Sequence, residues 1–232
     1  MTGRLGTAET ARTLLRAMLD VFPGRIAAVS SFGAESAVVL HMLAELDPAV
    51  PVIFLDTGKL FPETLAYRDA LVALLGLSDV RSARPDAARL ARADAAGTLW
   101  QSDPDACCWH RKVEPLEAAL TDFAAWITGR KRFQGASRRR LDMVEAGPDK
   151  RIKLNPLAAW SAAEVERYLA QHDLPLHPLR AKGYGSIGCT TCTRPVRHGE
   201  EPRAGRWAGS GKTECGIHCP PAAPTQTWTS PA

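Results

Sequence analysis

Ile26-Ala27-Ala28-Val29-Ser30-Ser31-Phe32-Gly33-Ala34-Glu35-Ser36 is the stretch from which the fold follows. Its first four residues form a short apolar run, the pattern of a buried strand, and the turn after them contains serine and glycine. The apolar residues beyond this turn recur at helical spacing: Val38, Val39, Met42, Leu43 and Leu46. A strand that passes through such a turn into a helix predicts the first half of a βαβ unit.

The same alternation of helices and strands continues on both sides of this stretch. Apolar spacing predicts a helix over residues 8–20 and another from about Pro62. Further short segments are predicted to be strands, at residues 52–55, 80–82, 125–128 and 151–154. Such alternation predicts an α/β fold, with a Rossmann-like, mostly parallel sheet and helices on both faces.

Three turns that follow strands carry the polar residues expected of a ligand site. Ligands of parallel sheets bind at the carboxyl ends of the strands, where the turns at residues 30–36, 56–58 and 129–132 fall. The candidate ligand residues in these turns are Ser30, Ser31, Gly33, Glu35, Ser36, Asp56, Thr57, Gly58, Lys131 and Arg132. Free N–H groups at the start of the following helix favour phosphate or sulfate. Taken alone, the first turn is explained equally well by helix capping.

Four of the six cysteines have the pattern of metal ligands. Cys107 and Cys108 are adjacent, and Cys189 and Cys192 form a Cys-x-x-Cys pair. Four thiolates suit either a tetrahedral zinc ion or an iron–sulfur cluster. Neighbouring side chains diverge, which is awkward for one small ion but suits separate irons of a four-iron cluster. We therefore expect a [4Fe–4S] cluster, with zinc and unrelated buried thiols as alternatives.

A fifth cysteine has the surroundings of a reactive thiol. Cys215 lies in Glu214-Cys215-Gly216-Ile217-His218, with Lys212 three residues before it. Nearby cations lower the pKa of a thiol and so favour the nucleophilic thiolate. Cys219 follows closely, and we interpret it as incidental rather than as a resolving partner for Cys215.

Basic residues cluster in the second half of the chain, at residues 130–132 and 138–140 and at Arg203 and Arg206. Such runs are usually solvated surface. The two arginines just before the reactive thiol fit bidentate recognition of a phosphate or sulfate as well. The stretch Gly209-Ser210-Gly211-Lys212-Thr213 is not a P-loop, because Arg206 stands where the first glycine of that motif belongs.

The overall composition is that of an ordinary globular domain. The chain has 232 residues, 45% of them hydrophobic, and a formal net charge of +4. That mild charge fits a nucleic-acid surface or a pocket for a small polyanion. No apolar run is long enough to span a bilayer, and the N-terminus lacks the apolar core of a secretory signal. We expect a cytoplasmic protein without membrane contact, in which clustered cysteines serve a metal or catalysis.

Taken together, these segments resemble the assimilatory adenylyl-sulfate and phosphoadenylyl-sulfate reductases. The resemblance runs in order from about residue 26 to 218. Its matching pieces are Ser31-Phe32-Gly33-Ala34-Glu35, Leu55-Asp56-Thr57-Gly58, Cys107-Cys108-x-x-Arg111-Lys112-Val113-x-Pro115-Leu116, Lys153-Leu154-Asn155-Pro156-Leu157, Gly183-Tyr184-x-Ser186-Ile187-Gly188-Cys189-x-x-Cys192-Thr193, Arg203-x-Gly205-Arg206-Trp207 and Lys212-Thr213-Glu214-Cys215-Gly216-x-His218. Arg130-Lys131-Arg132 departs from the usual Gly-Leu-Arg-Arg of the family, so the roles of Lys131 and Arg132 are less certain.

The resemblance implies a domain organisation, a reaction and a site. The fold expected is adenine nucleotide alpha-hydrolase-like, with a nucleotide-binding domain at residues 1–202, a mobile catalytic tail at 203–219 and a disordered end at 220–232. Adenylyl sulfate is the implied substrate, because the branch strict for the 3′-phosphorylated compound generally lacks the four cluster cysteines. Thioredoxin or a glutaredoxin-like dithiol would supply the electrons. The implied catalytic residues are Cys215, His218 and Lys112, and Arg203 and Arg206 join the substrate ligands.

Three alternatives are left open at this point. The same reaction on 3′-phosphoadenylyl sulfate is the nearest one. A zinc-ribbon RNA-binding protein would explain the basic runs and four thiols, but not residues 214–218, and we expect no nucleic-acid partner. A sulfur-transferring tRNA-modifying enzyme would need a Ser-Gly-Gly-x-Asp-Ser loop, which residues 30–36 lack. The sequence leaves the oligomeric state open, a homo-oligomer included.

Overall fold

A computed structural model describes residues 7–147 and 149–218 of the chain, so Cys219 and the segment 220–232 lie outside the described residues. Six strands form one sheet in the order β3-β2-β1-β4-β6-β5. The strands are β1 (Ile26–Ser30), β2 (Val52–Leu55), β3 (Val80–Ala83), β4 (Ala125–Ile127), β5 (Val144–Ala146) and β6 (Ile152–Leu154). Every neighbouring pair is parallel except β5 with β6. The prediction of a mostly parallel sheet is therefore confirmed.

The edge strand β5 has no counterpart among the predicted elements. It has only three residues, and two of them are exposed. A short strand with one paired edge needs no apolar run, so its sequence carries little signal.

Eight α-helices surround the sheet. They are α1 (Thr7–Val21), α2 (Ser36–Leu46), α3 (Pro62–Leu75), α4 (Ala87–Ala93), α5 (Leu99–Ser102), α6 (Pro104–Cys108), α7 (Glu114–Ala119) and α8 (Ala162–Gln171). The predicted helices correspond to α1, α2 and α3. Helix α3 begins with a proline and ends at Gly76, whose φ of 63° is the left-handed cap that favours glycine.

Helix α8 was not predicted, although its start carries a clear signal. Ser161 and Glu164 form a capping box, in which the Ser161 hydroxyl accepts from the Glu164 N–H and the Glu164 carboxylate accepts from the Ser161 N–H at 2.7 Å. The helix packs Val165, Tyr168 and Leu169 into the core.

Alternate residues of the strands pack on opposite faces of the sheet, as the pleat requires. On one face, Ala28 and Phe54 join side chains of α1, α2, α3 and α8 in the larger core. On the other face, Ile53 and Trp126 pack with residues of and around α7 in a smaller cluster. Both faces of the sheet are thus covered, as predicted.

The strand order creates a crevice beside β1. The chain continues from β1 to β2 on one side, whereas β4 pairs on the other side of β1. Such a reversal of strand order opens a binding crevice at the carboxyl ends of the strands. The turns at residues 30–36 and 128–131 follow β1 and β4, so they form the two walls of this crevice.

The segment at residues 183–218 contains little regular structure but is anchored to the rest of the fold. Cys189 pairs with Leu60 in an isolated bridge, and Thr193 pairs with Arg206 in another. A Cβ placed on Gly205 would lie 2.1 Å from the Arg194 carbonyl oxygen, so only glycine fits there. Within the described residues, no helix is both long and apolar enough to cross a membrane.

Candidate active site

A cavity at the crevice brings most of the predicted site residues together. Its walls come from the turns after β1 and β4, from residues 185–188 and from the tail. The predicted residues that line it are Ser30, Ser31, Gly33, Glu35, Ser36, Thr57, Lys112, Lys131, Arg203, Arg206, Cys215 and His218.

Three predicted substrate ligands lie outside this lining. Asp56 accepts from the Gly58 N–H at 3.2 Å and from Arg84 Nε at 2.9 Å, so it shapes the turn after β2. Arg132 is exposed, and its Nε donates to the Leu141 carbonyl at 2.8 Å. The contacts of Asp56, Gly58 and Arg132 therefore support loops, and these three residues do not line the cavity.

The turn after β1 is held in an unusual backbone conformation. Phe32 has a φ of 46°, is fully buried and packs its ring edge-on against Phe54 at 5.5 Å. Its N–H donates to the Ser30 hydroxyl at 3.1 Å. A bulky residue at positive φ is strained, and such strain concentrates at functional turns. The N-cap residue of α2, Glu35, makes no side-chain capping bond. The Ser36 N–H donates to the Gly33 carbonyl at 3.2 Å, so the N–H groups after it in the first turn of α2 are the ones available to an anion.

Lys131 and Glu35 form an ion pair that joins the two walls of the crevice. Lys131 is 1% exposed, and its Nζ lies 2.7 Å from Glu35 Oε2 and 3.0 Å from the Gly129 carbonyl oxygen. Gln134 Nε2 donates to the same carboxylate at 2.8 Å. Burial lowers the pKa of Lys131, although Glu35 opposes the shift. The two charges offset each other, so this pair borders the cavity without adding net charge.

Arg130 is buried behind the same wall. Its Nε donates to Asn155 Oδ1 at 3.2 Å, and its guanidinium also binds Glu145 on β5. Asn155 accepts from Thr128 Oγ1 at 2.7 Å. Asn155, fully buried after β6, therefore fixes the loop that follows β4.

The four predicted metal ligands do not line the cavity, although Cys108 contacts Cys215, which does. Cys107, Cys108 and Cys189 are buried, and Cys192 is partly buried. The pKa of Cys107 is raised to about 11, mainly by burial, and the nearby Cys189 and Cys192 act in the same direction. The Cys189 sulfur lies 3.2 Å from Thr57 Oγ1. The two adjacent cysteines have different neighbours, since Cys107 lies near Cys189 and Cys192 while Cys108 contacts Cys215.

The spacing of these thiols does not match a single tetrahedral zinc ion. Four sulfurs around zinc lie about 3.8 Å apart, given a Zn–S bond of about 2.3 Å. Among the described residues, no three of the cysteine sulfurs lie within 4.8 Å of one another, and the group that does is His41, Glu45 and His172 between α2 and α8. Arg12 binds the Glu45 carboxylate of that group at 2.6 Å.

Unpaired donors near the cysteines also fit a sulfide-rich centre. Arg111 Nε, Thr193 Oγ1 and Trp207 Nε1 are buried and have no hydrogen-bond partner within the described part of the chain. Buried polar groups without a partner are rare in native proteins. Inorganic sulfide and thiolate sulfur accept hydrogen bonds from such groups, so the residues present fit an iron–sulfur cluster.

A continuous helical segment connects the adjacent cysteines to Lys112. Helix α6 begins at its N-cap Asp103, whose carboxylate accepts from the Asp105 and Ala106 N–H groups at 3.0 and 2.8 Å. A π-helical turn, Trp109–Val113, follows α6 and leads into α7. Turns of this kind inside helices occur mostly at functional sites, and this one contains Lys112.

Arg111 anchors this turn to its neighbours. It donates to Asp94 Oδ2 at 2.7 Å and to the Thr57 carbonyl at 2.9 Å. Lys112, the next residue, lines the cavity instead. The charges of Cys189, Cys215 and Cys108 raise the pKa of Lys112 despite its burial, so it is a cation.

Cys215 reaches into the cavity beside Lys112. A hydrogen bond from the Cys108 thiol is the largest influence that lowers the pKa of Cys215, followed by Lys112, the Ile217 N–H and Arg206. A cysteine bound to iron has no proton to donate. With a cluster in place, Lys112, the Ile217 N–H and Arg206 are therefore the groups that favour the Cys215 thiolate.

Arg206 and Arg203 both line the cavity but differ in whether a carboxylate binds them. Arg206 stacks over the Trp207 ring at 4.3 Å and donates to the Ile187 carbonyl at 3.2 Å, and no carboxylate binds it among the described residues. Arg203 lies 3.3 Å from Glu214. Burial, together with the nearby Arg138, lowers the pKa of Arg203 to about 10. Arg206 and Lys112 are thus the cations with charge left for a bound anion.

The rest of the tail packs against the domain. Ile217 joins the smaller apolar cluster, and the His218 ring lies parallel to Trp126 at a centroid distance of 6.1 Å. Burial and the cation Lys153 hold the pKa of His218 well below its usual value, so its imidazole is neutral. Lys212 binds Asp105 of α6 and not the thiol.

Arg138 and Gln134 also line the cavity, although they were not among the predicted site residues. Arg138 is buried and binds Glu214 of the tail. Its position in the run 138–140 gave no signal, because Arg139 and Arg140 beside it are exposed. Only the tertiary structure separates the one buried arginine from its two solvated neighbours.

The chain is similar to proteins of one known family over most of its length. The family described as phosphoadenosine phosphosulfate reductase domain matches residues 25–195. A Mesorhizobium japonicum protein named adenosine 5'-phosphosulfate reductase is 56% identical over 203 residues, 88% of this chain and 80% of that protein. A Gloeobacter violaceus protein named phosphoadenosine 5'-phosphosulfate reductase is 39% identical over 210 residues, 88% of this chain and 87% of that protein.

Among solved structures, that of a phosphoadenylyl-sulfate reductase from Candida auris, in complex with phosphate, is similar to this chain. The two share 27% sequence identity with a TM-score of 0.69, and the match covers 80% of this chain and 90% of the other.

Proposed function

Because the chain belongs to the phosphoadenosine phosphosulfate reductase family, we propose that it reduces adenylyl sulfate to sulfite and AMP in sulfate assimilation. The relative that is 56% identical is named for that substrate. The observation that carries the proposal is the position of Cys215. It lines a cavity together with the turn after β1, Lys112 and Arg206, and it contacts Cys108, one of the four clustered cysteines.

The first chemical step is nucleophilic attack by Cys215. Its thiolate attacks the sulfur atom of adenylyl sulfate, and the bond from that sulfur to the phosphate oxygen breaks. AMP leaves with the electron pair, and Cys215 becomes an S-sulfonate. A thiolate and a polyanion repel each other, so Lys112 and Arg206 offset charge during the approach and as it shifts to the leaving group.

The second step is reduction by a dithiol of the thioredoxin or glutaredoxin type. One thiolate attacks the Cys215 sulfur, and sulfite leaves with the electron pair of the S–S bond. The resulting mixed disulfide is resolved by the second thiol, which regenerates the Cys215 thiolate. Both electrons come from the dithiol, so the balance needs no other donor.

Cys107, Cys108, Cys189 and Cys192 would hold a [4Fe–4S] cluster. When bound, it supplies a negatively charged, thiolate-ligated centre next to Lys112 and need not pass electrons. Cys215 also contacts one of its ligands, Cys108. Lys112 is thus positioned between the proposed centre and the reacting sulfur.

The tail must also move during the proposed cycle. With Cys215 in the cavity, a protein dithiol cannot reach it, so the tail at 203–218 closes over substrate and opens for reduction. Its glycines, and the isolated bridge between Thr193 and Arg206 in place of a longer strand pairing, support that motion. A cytoplasmic location, where reduced dithiols are plentiful, belongs to the same proposal.

Reduction of 3′-phosphoadenylyl sulfate is the alternative with specific support, since the Gloeobacter violaceus relative is named for it. The presence of all four cluster cysteines favours adenylyl sulfate. Competition between the two nucleotides in one reaction decides between them. Family membership leaves no support for the RNA-binding alternative.

Single-turnover mass spectrometry tests the proposal. Anaerobically purified, reduced protein with its metal centre and thiols verified is mixed with adenylyl sulfate in the absence of any dithiol. We expect a sulfonate adduct on Cys215 together with stoichiometric AMP. Intact protein that forms no adduct would rule out adenylyl sulfate and move the test to the 3′-phosphorylated compound.

A further inference from the structure

A buried ion pair joins the tail to the wall of the cavity. Arg138 lies at the end of the 3₁₀ turn Ala136–Arg138, and its Nε and Nη2 donate to the two carboxylate oxygens of Glu214 at 2.5 and 2.7 Å. The side chains of Arg138 and Glu214 are 8% and 7% exposed. A bidentate, buried pair of this kind fixes orientation as well as distance.

The same carboxylate reaches the backbone of the nucleophile. Glu214 Oε1 accepts from the Cys215 N–H at 2.9 Å and from Arg203 Nη2 at 3.3 Å. Burial disfavours the charged carboxylate of Glu214, but the hydrogen bonds and charge of Arg138 outweigh this effect and hold the pKa of Glu214 at about 2. The Arg138 guanidinium is therefore two hydrogen bonds away from the backbone of Cys215.

Every nitrogen of the Arg138 guanidinium donates a hydrogen bond to a protein group. Its third nitrogen, Nη1, binds Gln134 Oε1, whose amide nitrogen in turn binds Glu35. By contrast, Nε and Nη1 of Arg203 have no hydrogen-bond acceptor within residues 7–147 and 149–218. The two arginines that bind Glu214 are therefore not equivalent, since all three nitrogens of Arg138 are held by protein acceptors, whereas two nitrogens of Arg203 are available to an anion.

We propose that Arg138 is a positioning residue that receives the tail carboxylate Glu214 and thereby places Cys215 for attack, without binding the substrate itself. The proposal rests on the proposed function for the identity of the reaction. The ion pair itself depends only on the geometry of Arg138, Glu214 and the Cys215 N–H.

The arrangement also links tail closure to the wall of the crevice. When the tail opens, Glu214 leaves and the buried Arg138 loses its carboxylate. A buried cation without its partner is costly, and this cost favours return of the tail. Closure is thus driven by a group on the tail, one residue before the nucleophile.

Three variants test the proposal: Arg138→Gln, Glu214→Gln and, as matched control, Arg139→Gln. Arg139 is adjacent in sequence and exposed. Hydrogen exchange of the tail amides, measured without nucleotide, reports tail closure. Binding of adenylyl sulfate is measured in a Cys215→Ser background, and the sulfonation rate at saturating substrate is measured by single-turnover mass spectrometry.

We expect tail amides to exchange about tenfold faster in Arg138→Gln and in Glu214→Gln. The sulfonation rate should fall by about tenfold to a hundredfold, while the dissociation constant for adenylyl sulfate stays within about twofold. The double variant should be no slower than either single variant, because both remove one interaction. Arg139→Gln should match the unaltered protein in every readout.

Weaker nucleotide binding in Arg138→Gln, in proportion to its loss of rate, would overturn the proposal and make Arg138 a substrate ligand. Unchanged tail exchange in both variants would overturn it as well. Glu214 belongs to the tail and not to either apolar cluster, so Glu214→Gln keeps the test valid if Arg138→Gln does not fold. Hydrogen exchange needs no substrate, so it tests the ion pair even where the proposed reaction fails.

Discussion

At the scale of single residues, the reactivity of Cys215 is set by three neighbours that come from different parts of the chain. Lys112 follows the adjacent cysteines, Arg206 precedes the tail, and the Ile217 N–H belongs to the same turn as the thiol. Each lowers the pKa of the thiol by favouring the thiolate over the neutral form. For the proposed reaction, their combined effect favours a charged nucleophile beside the bound substrate.

Lys112→Ala tests the charge contribution of this lysine. Loss of a buried cation that stabilises developing negative charge typically costs about a hundredfold to a thousandfold in rate. We expect the sulfonation rate to fall by that order while iron content and visible absorption stay unchanged. Lys182→Ala, which removes a surface lysine paired with Glu63, is the control. An unchanged rate in Lys112→Ala would show that this cation has no role in the first step.

Gly188→Ala tests the placement of Arg206 without altering any charge. A Cβ on Gly188 would lie 2.4 Å from Arg206 Nη2, so the guanidinium must move. We expect KM for adenylyl sulfate to rise about tenfold, as for one displaced charged contact. Gly211→Ala is the matched control, because nothing lies within 4 Å of its Cβ. Equal KM values in the two variants would contradict a substrate contact for Arg206.

At the scale of elements, one interrupted helix determines the geometry of the centre. Helix α6 holds the adjacent cysteines, the π-turn Trp109–Val113 places Lys112, and α7 packs on the sheet. The extra residue of a π-turn rotates the residues after it relative to a regular helix. Charge and metal ligands are thereby fixed relative to one another by a single run of backbone.

Asp103→Ala tests whether the start of α6 supports the proposed centre. Removing an N-cap typically costs about 1 kcal/mol in stability. Asp86 caps α4 in the same way, through a 2.7 Å bond from the Arg89 N–H, so Asp86→Ala is the matched control. We expect similar losses in unfolding free energy, but faster loss of iron to a chelator only in Asp103→Ala. Equal iron retention would show that the cap contributes to general stability alone.

At the scale of the whole molecule, side chains distant in sequence hold the crevice together. His177 joins α3 to the loop beyond α8, where its Nδ1 accepts from the Leu179 N–H at 3.2 Å. Its Nε2 therefore carries the proton and donates to the Thr64 hydroxyl at 3.0 Å. The ring is 1% exposed, and burial lowers its pKa to about 4.

This histidine predicts a loss of stability in mild acid. The unfolded chain binds the proton near pH 6.5, whereas the folded protein does so only near pH 4, so stability falls as the pH drops between these values. The full effect is roughly 3 kcal/mol. We expect unfolding free energies measured by denaturant from pH 7 to 4 to fall less steeply in His177→Asn, which keeps an acceptor. Parallel curves for the two proteins would assign the acid sensitivity to other groups.

The predicted elements that the structure confirms are those with a strong local pattern. The apolar runs of β1 and β2 and the periodic apolar faces of α1 and α2 need a core to pack against, and such patterns can be recognised from the sequence alone. Strand β5 was not predicted because its stability comes from pairing with β6, and α8 was overlooked despite its capping box.

The α/β fold, the two cysteine pairs, the candidate nucleophile Cys215 and the family resemblance follow from residue type and spacing in the sequence alone. Which charges are free follows only from the three-dimensional arrangement. Lys131 is neutralised by Glu35, and Arg138 rather than its neighbours binds the tail, while Lys112 and Arg206 have no carboxylate partner among the residues that the structure describes. The reason is physical: the charge available at a site depends on burial and on partners, and those partners lie far away in the sequence.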